Sequence, residues 1–173
     1  MDKNIIIIGI TGVGKTTVGR ILAEKLHKEF MDLDKNIESH CGVDIPTIFS
    51  IEGEVGFRDR ETLELTRVIE NHSNYVLSVG GGCVISAENR KIIASGNNII
   101  VQLYANISVL VERLMKSPLK RPLFNNVAIE SKIIELVHAR KDIYNDFSDI
   151  KLNTSYLKAP QVAELIIKYL STQ

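Results

Sequence analysis

The residues best suited to chemistry in this chain form a phosphate-binding loop near its start. The run Gly9-Ile10-Thr11-Gly12-Val13-Gly14-Lys15-Thr16 matches G-x-x-x-x-G-K-[ST] in full, between an apolar run and a stretch with helical periodicity. Backbone N–H groups of such a loop point at phosphate oxygens, and the start of the next helix adds positive potential. The residues predicted to bind ATP here are Gly12, Val13, Gly14, Lys15, Thr16 and Thr17. Lys15 would reach the β- and γ-phosphates, and the Thr16 hydroxyl would ligate Mg²⁺.

Two aspartates, Asp32 and Asp34, follow the second apolar run and are candidates for metal binding and proton transfer. Side chains two residues apart in an extended chain point the same way, and parallel α/β proteins bind ligands at the carboxyl ends of their strands. We expect Asp32 to hold a magnesium-bound water and Asp34 to accept or orient the proton of an attacking hydroxyl. The alternative is that Asp34 only caps the next helix.

Two further groups of residues have the chemistry of a substrate site. Arg58 and Glu61 are three residues apart and would share a helical face, so that the carboxylate could hold the guanidinium for a substrate carboxylate. A solvated surface ion pair would have the same sequence pattern. Gly80, Gly81 and Gly82 follow a third apolar run, where we expect close approach of the backbone to a ligand. The alternative there is a tight turn.

A polar segment, residues 116–126, is predicted to form a cationic lid. It carries basic residues around two prolines, and phosphoryl transfer needs both positive charge and the exclusion of water. Arg121 is the candidate in it for stabilising the transferring group, although composition alone also allows an ordinary surface loop. Arg140 lies on a later predicted helix, where the pattern by itself favours a solvated charge.

Short β-branched runs alternate with longer helical patterns, which predicts parallel strands joined by right-handed helical crossovers. The predicted strands are residues 5–8, 29–33, 75–79, 98–103 and 150–153. The predicted helices are residues 15–27, 34–70 with breaks at Gly42, Pro46 and Gly53, 87–95, 108–115, 129–144 and a last helix that ends at residue 170 and has Pro160 in its first turn. We expect a mostly parallel sheet with helices on both faces, in a single domain spanning residues 1–173.

Composition excludes several other classes of protein. The chain has 173 residues with 21 basic and 21 acidic side chains, so its net charge of zero argues against a binder of duplex DNA or anionic membranes. No apolar run approaches the ~20 residues that cross a bilayer, and we find no signal or transit peptide. Cys41 and Cys83 are therefore expected to be free thiols, and no Cys/His cluster indicates zinc.

Together these residues resemble shikimate kinase over essentially the whole chain. The resemblance rests on their order: the phosphate loop, Asp32-x-Asp34, Phe57-Arg58-x-x-Glu61 after a glycine, the glycine triplet, Arg121-Pro122-Leu123, and Arg140 followed by Tyr144. It implies phosphorylation of the 3-hydroxyl of shikimate by ATP, giving 3-phosphoshikimate and ADP, in the cytoplasmic synthesis of aromatic amino acids. It also implies a three-layer α/β/α fold with a five-stranded parallel sheet, similar to nucleoside monophosphate kinases. The shikimate-binding region would be residues 34–61.

The resemblance also implies individual roles. The residues expected to contact shikimate are Asp34, Arg58, Gly80, Gly81, Gly82 and Arg140. Arg58 and Arg140 would hold the carboxylate, with Glu61 steadying Arg58. Lys15 and Arg121 would stabilise the transferring phosphoryl group, and Arg113 would stack on adenine. Leu157 stands near the position where the family commonly has a polar or basic residue beside adenine.

The expected partners are therefore ATP and shikimate, with Mg²⁺ as cofactor and with no nucleic acid or membrane. We expect a monomer, because the whole site lies within one chain. Two other functions stay open at this point. One is another kinase of this fold, acting on gluconate or a nucleoside monophosphate. The other is a nucleotide-binding module without catalysis.

Overall fold

The computed structural model of the chain describes residues 3–116 and 129–172. Five strands in these ranges form one sheet: β1 (Asn4–Ile8), β2 (Glu29–Asp32), β3 (Tyr75–Ser78), β4 (Asn98–Tyr104) and β5 (Ile150–Asn153). The strand order is β2-β3-β1-β4-β5, and each neighbouring pair is parallel. The predicted α/β fold with a five-stranded parallel sheet is confirmed.

The helices of the described residues lie in the crossovers between these strands, except for the last, which follows β5. They are α1 (Lys15–Leu26), α2 (Leu33–Cys41), α3 (Ile45–Asn71), α4 (Ala87–Ser95), α5 (Ile107–Lys116), α6 (Ile129–Phe147) and α7 (Ala159–Ser171). A single 3-10 turn, Cys83–Ile85, precedes α4. Pro160 lies in the first turn of α7, as predicted.

The core lies on both faces of the central strand. All five residues of β1 are buried, because helices cover the sheet on each side, which is why this strand is a continuous apolar run rather than an alternating one. The carboxyl ends of β1, β2 and β3 meet at one edge of the sheet. The phosphate loop, the two aspartates and the glycine triplet leave the sheet at that edge.

The long helical region after β2 is divided as the glycines predicted. Gly42 ends α2 in a left-handed conformation, and Gly53 interrupts α3 with φ 70° and ψ −171°. Pro46 does not break the helix but lies in its first turn, where a missing N–H is tolerated. The predicted start at Asp34 is one residue late, because helix α2 begins at Leu33 directly after the strand.

Within the described residues, no helix is long and apolar enough to cross a membrane. Cys41 and Cys83 are free thiols, as predicted.

Candidate active site

The phosphate loop joins the end of β1 to the start of α1. Gly12 and Gly14 have φ of 86° and 96°, a left-handed conformation that disfavours other residues, and Gly14 caps α1. Lys15 Nζ donates to the carbonyl oxygens of Gly9 at 2.8 Å and Ile10 at 3.1 Å. The ammonium group is thus held at the loop, where the phosphates of a nucleotide would lie.

Asp32 and Thr16 place two oxygen donors beside this loop. The Thr16 hydroxyl donates to Asp32 Oδ2 at 2.8 Å, and Asp32 also caps α2 by accepting from the Lys35 backbone N–H at 3.4 Å. The prediction that Asp32 and Asp34 point the same way from an extended chain is wrong, because the chain becomes helical at Leu33. The two carboxylates therefore diverge, and the residue that caps the helix is Asp32 rather than Asp34.

The carboxylates of Asp34 and Glu61 converge on Gly80. A methyl group built on Gly80 would lie 3.0 Å from Asp34 Oδ1 and 3.0 Å from Glu61 Oε1. Burial raises the pKa of Glu61, the nearby Arg58 guanidinium opposes this rise, and the negative charge of Asp34 adds to it. The Asp34 Oδ1 and Glu61 Oε1 atoms that meet at this backbone position are buried, and carboxylate oxygens accept hydrogen bonds from hydroxyl groups.

Arg58 is oriented by Glu61 and faces Gly82. Arg58 Nη1 donates to Glu61 Oε2 at 2.7 Å, and the Glu61 side chain is fully buried, which excludes a solvated surface ion pair. Glu54 also accepts from Arg58, at 3.4 Å. A methyl group on Gly82 would lie 2.7 Å from Arg58 Nη1, so this glycine gives the guanidinium its space. The triplet is thus explained by close approach, although the groups that approach are side chains of the chain itself.

Arg140 reaches the same triplet from α6. Its Nη1 donates to the Gly81 carbonyl oxygen at 2.7 Å, so it is not a solvated helix charge. The Tyr144 hydroxyl, one helical turn later, donates to the same oxygen. Burial raises the pKa of Tyr144 to about 12, so the hydroxyl keeps its proton at neutral pH. No role was predicted for Tyr144; its i+4 spacing from Arg140 was the available signal.

Arg113 lies on the other side of the phosphate loop. Its guanidinium donates to the Thr154 carbonyl oxygen at 2.6 Å and to the Thr154 hydroxyl at 3.1 Å. It borders a cavity of about 240 Å³ together with Gly12, Gly14, Thr17, Thr154 and Leu157. This cavity opens beside the loop, and the nucleotide contacts of Thr17 and Arg113 stay predictions.

The predicted lid, residues 116–126, falls outside the described residues except for Lys116, which is the last residue of α5. Arg121 lies outside them too, and its role stays a prediction. The other predicted site residues fall into two groups at one sheet edge. The phosphate loop, Thr16, Asp32 and Arg113 form one. Asp34, Arg58, Glu61, Gly80–82 and Arg140 form the other, and a methyl group on Gly81 would lie 3.4 Å from the loop amide of Thr11.

Comparison with known proteins gives one consistent family. A family model described as shikimate kinase matches residues 11–171. A shikimate kinase of Legionella pneumophila is 40% identical over 168 residues, which is 97% of this chain and 94% of that protein.

Solved structures agree with this result. A shikimate kinase from Acinetobacter baumannii in complex with shikimate superposes with a TM-score of 0.93 at 36% identity, over 99% of this chain and 94% of that chain. A gluconokinase from Sinorhizobium meliloti reaches a TM-score of 0.60 at 16% identity, over 99% of this chain and 93% of that chain. The second likeness is one of fold alone.

Proposed function

The chain belongs to the shikimate kinase family, and we propose that it transfers the γ-phosphoryl group of ATP to the 3-hydroxyl of shikimate with the residues of the two groups above. Its relatives show an ATP-dependent kinase that acts on a hydroxyl group, with a role in the synthesis of aromatic amino acids. The individual residue roles, the metal and the assembly that follow are our proposal.

One observation carries the assignment of the acceptor site. The glycine triplet brings an acid pair, Asp34 and Glu61, and two guanidinium groups, Arg58 and Arg140, to within contact of the same three backbone positions. This arrangement fits a small molecule that has hydroxyl groups at one end and a carboxylate at the other. The neighbouring phosphate loop supplies the donor side.

Two arginines and the glycine triplet are assigned to the binding and orientation of shikimate. Arg58 and Arg140 hold the shikimate carboxylate, and Glu61 fixes Arg58 in the geometry that two hydrogen bonds require. The backbone of the triplet lines the pocket between them. Holding the acceptor in this way converts a bimolecular encounter into a positioned reaction, which contributes much of the rate of phosphoryl transfer.

Asp34 is assigned to the proton of the attacking hydroxyl. As the 3-oxygen attacks the γ-phosphorus, its proton passes to the Asp34 carboxylate, and the bond from phosphorus to the bridging oxygen of ADP breaks with its electrons staying on ADP. Lys15 balances the negative charge on the transferring group. The same role for Arg121 rests on the family resemblance alone.

The residues beside the loop fit magnesium. Mg²⁺ prefers hard oxygen ligands and is commonly held by one or two carboxylate or hydroxyl groups, with phosphates and water completing the shell. Thr16 and Asp32 place such oxygens 2.8 Å apart. When bound with ATP, the ion neutralises phosphate charge.

We further propose that the chain acts as one kinase domain and as a monomer in the cytoplasm. Every described residue of the site comes from one chain, so no second copy is needed to complete it. Nucleic acids and membranes are not among the proposed partners, because the net charge is zero.

A coupled assay of ADP release tests this function. Shikimate should support magnesium-dependent turnover, while gluconate and nucleoside monophosphates should not. Asp34→Asn should lower kcat by about a hundredfold or more through loss of the proton acceptor. Arg58→Ala should chiefly raise KM for shikimate, by about tenfold or more.

The matched control is Arg67→Ala, which removes an arginine of the same helix that pairs with Glu64. It should keep both constants near those of the wild type. Turnover of another acceptor but not of shikimate would show that the proposed substrate is wrong. Binding of ATP without turnover of any acceptor would support a non-catalytic module instead.

A further inference from the structure

Residues on both sides of the Gly53 kink are joined by an ion pair that lies outside the groups assigned above. Arg60 Nε donates to Glu52 Oε2 at 2.7 Å, and Arg60 Nη2 donates to Glu52 Oε1 at 2.5 Å. Glu52 immediately precedes the kink, and Arg60 lies two turns beyond it. This two-bond pair, Glu52 with Arg60, is called the clasp below.

Two glycines allow the clasp to form, for different reasons. Gly53 supplies the left-handed φ of 70° that turns the chain, and a methyl group there would meet nothing. Gly56 supplies space, since a methyl group on it would lie 2.9 Å from Glu52 Oε2 and still closer to Glu52 Cβ. The kink and the clasp are thus parts of one arrangement.

The clasp also reaches the end of α2. Arg60 Nη1 lies 3.3 Å from Cys41 Sγ, so one guanidinium touches the last residue of α2, the segment before the kink and its own helix. Helix α2 carries Asp34 in its first turn. Arg60 therefore contacts all three segments.

A chain of contacts connects the clasp to the substrate arginine. Phe49, on the segment before the kink, packs against Phe57 with ring centroids 4.7 Å apart. The Phe57 ring in turn lies 5.2 Å from Arg58 Cζ. Movement of residues 45–52 would remove the Phe49 ring from Phe57, the ring against which Arg58 lies.

We propose that Arg60 and Glu52 are positioning residues for shikimate binding, which hold residues 45–52 and the end of α2 in the geometry that the acceptor site requires. This inference rests on the proposed function. Neither residue touches the reacting atoms, so loss of the clasp should weaken binding of the acceptor and leave the chemical step unchanged.

Glu52→Gln and Gly56→Ala test the proposal by two routes. Glu52→Gln keeps the size of the side chain but removes its charge, and Gly56→Ala displaces Glu52 although alanine normally favours a helix. Both should raise KM for shikimate about three- to fivefold, as expected for a partly exposed two-bond pair, with kcat unchanged. Glu164→Gln, which breaks the exposed pair with Lys25, is the matched control and should change neither constant.

A second readout does not depend on activity. Arg60 contacts the Cys41 thiol, so its displacement in Glu52→Gln should make alkylation of Cys41 by iodoacetamide faster, while buried Cys83 stays unreactive as an internal reference. If KM and the rate of Cys41 alkylation both match those of the wild type, the clasp has no positioning role. A wild-type protein that does not release ADP with shikimate would instead overturn the proposed function.

Discussion

At the scale of single residues, the acceptor site depends on glycines, which leave space, as much as on charged side chains. Gly80 makes room for Asp34 and Glu61, and Gly82 makes room for Arg58. Neither glycine has a positive φ, so the backbone there is open to other residues and only space excludes them. Substitutions at these positions should therefore act by displacing Asp34, Glu61 or Arg58 rather than by straining the backbone.

Gly82→Ala tests whether the space beside the Arg58 guanidinium is needed for binding. The added methyl group would lie 2.7 Å from Arg58 Nη1 and must displace it from Glu61. We expect KM for shikimate to rise about tenfold, the loss of one charge-assisted hydrogen bond of roughly 1.5–3 kcal/mol. The melting temperature should fall as well, because displacing Arg58 leaves the buried Glu61 carboxylate without its partner. An unchanged KM would mean that Arg58 has another equally good position.

Glu61 should give the protein a measurable pH dependence. Burial raises its pKa above the usual 4.5, so the native state holds this proton more tightly than the unfolded state. The stability linked to that proton is fully present below pH 4.5 and is lost as the pH rises through the raised pKa. The free energy of unfolding of the wild type minus that of Glu61→Gln should thus fall as pH increases from 4.5.

Urea unfolding of both proteins from pH 4 to pH 7 measures this difference. Carboxylates that do not interact with Glu61 contribute equally to both proteins, so their effects cancel. Glu164→Gln removes an exposed acid and provides the reference, for which the difference should be flat. A flat difference for Glu61→Gln as well would contradict a raised pKa.

At the scale of elements, Asp32 contacts two helices from the end of one strand. It ends β2, caps α2 and accepts from Thr16 at the start of α1. The predicted metal role and the capping role are therefore carried by one carboxylate, and they can be separated because asparagine caps helices about as well as aspartate.

Asp32→Asn and Asp32→Ala form the matched pair for that separation. Asp32→Asn should keep the melting temperature but weaken the apparent affinity for Mg²⁺ about ten- to a hundredfold in the ADP-release assay. Asp32→Ala should lose the metal affinity and also about 1 kcal/mol of stability with the cap. If Asp32→Asn keeps the wild-type magnesium dependence, Asp32 has only a capping role.

At the scale of the whole molecule, the parallel sheet brings loops from separate crossovers to one edge. The segments that follow β1, β2 and β3 meet there, and α6 approaches from the other end of the chain to reach Gly81. A ligand bound at that edge contacts several crossovers together. Binding of a ligand should therefore raise the free energy of unfolding of the whole domain.

Thermal unfolding with Mg·ADP tests this. At a concentration a hundred times its Kd, the nucleotide should add about 2.7 kcal/mol, which for this size raises Tm by about 5–10 °C. Lys15→Ala should remove most of the shift, whereas Lys25→Ala on the same helix should retain it. A full shift in Lys15→Ala would place the nucleotide elsewhere.

Features that depend on local patterns could be predicted from the amino-acid sequence. The phosphate loop was predicted in full because its glycines, lysine and threonine act within eight residues. The strands followed from continuous apolar runs, and the breaks at Gly42 and Gly53 from glycine's tolerance of left-handed backbone. The acceptor residues were named through the family resemblance, since local patterns favoured a surface pair for Arg58 and Glu61.

Which of these residues contact one another became clear from the folded arrangement. It placed Glu61 in the interior, sent Asp32 to Thr16 and Asp34 to Gly80, and brought Arg140 and Tyr144 to an oxygen about 60 residues away in sequence. Burial and contact between distant elements depend on how the crossovers pack. The periodicity of a helix or strand shows which face is apolar but does not show which element packs against that face. The clasp of Glu52 and Arg60 belongs to this second kind, because it exists only once the chain has turned at Gly53.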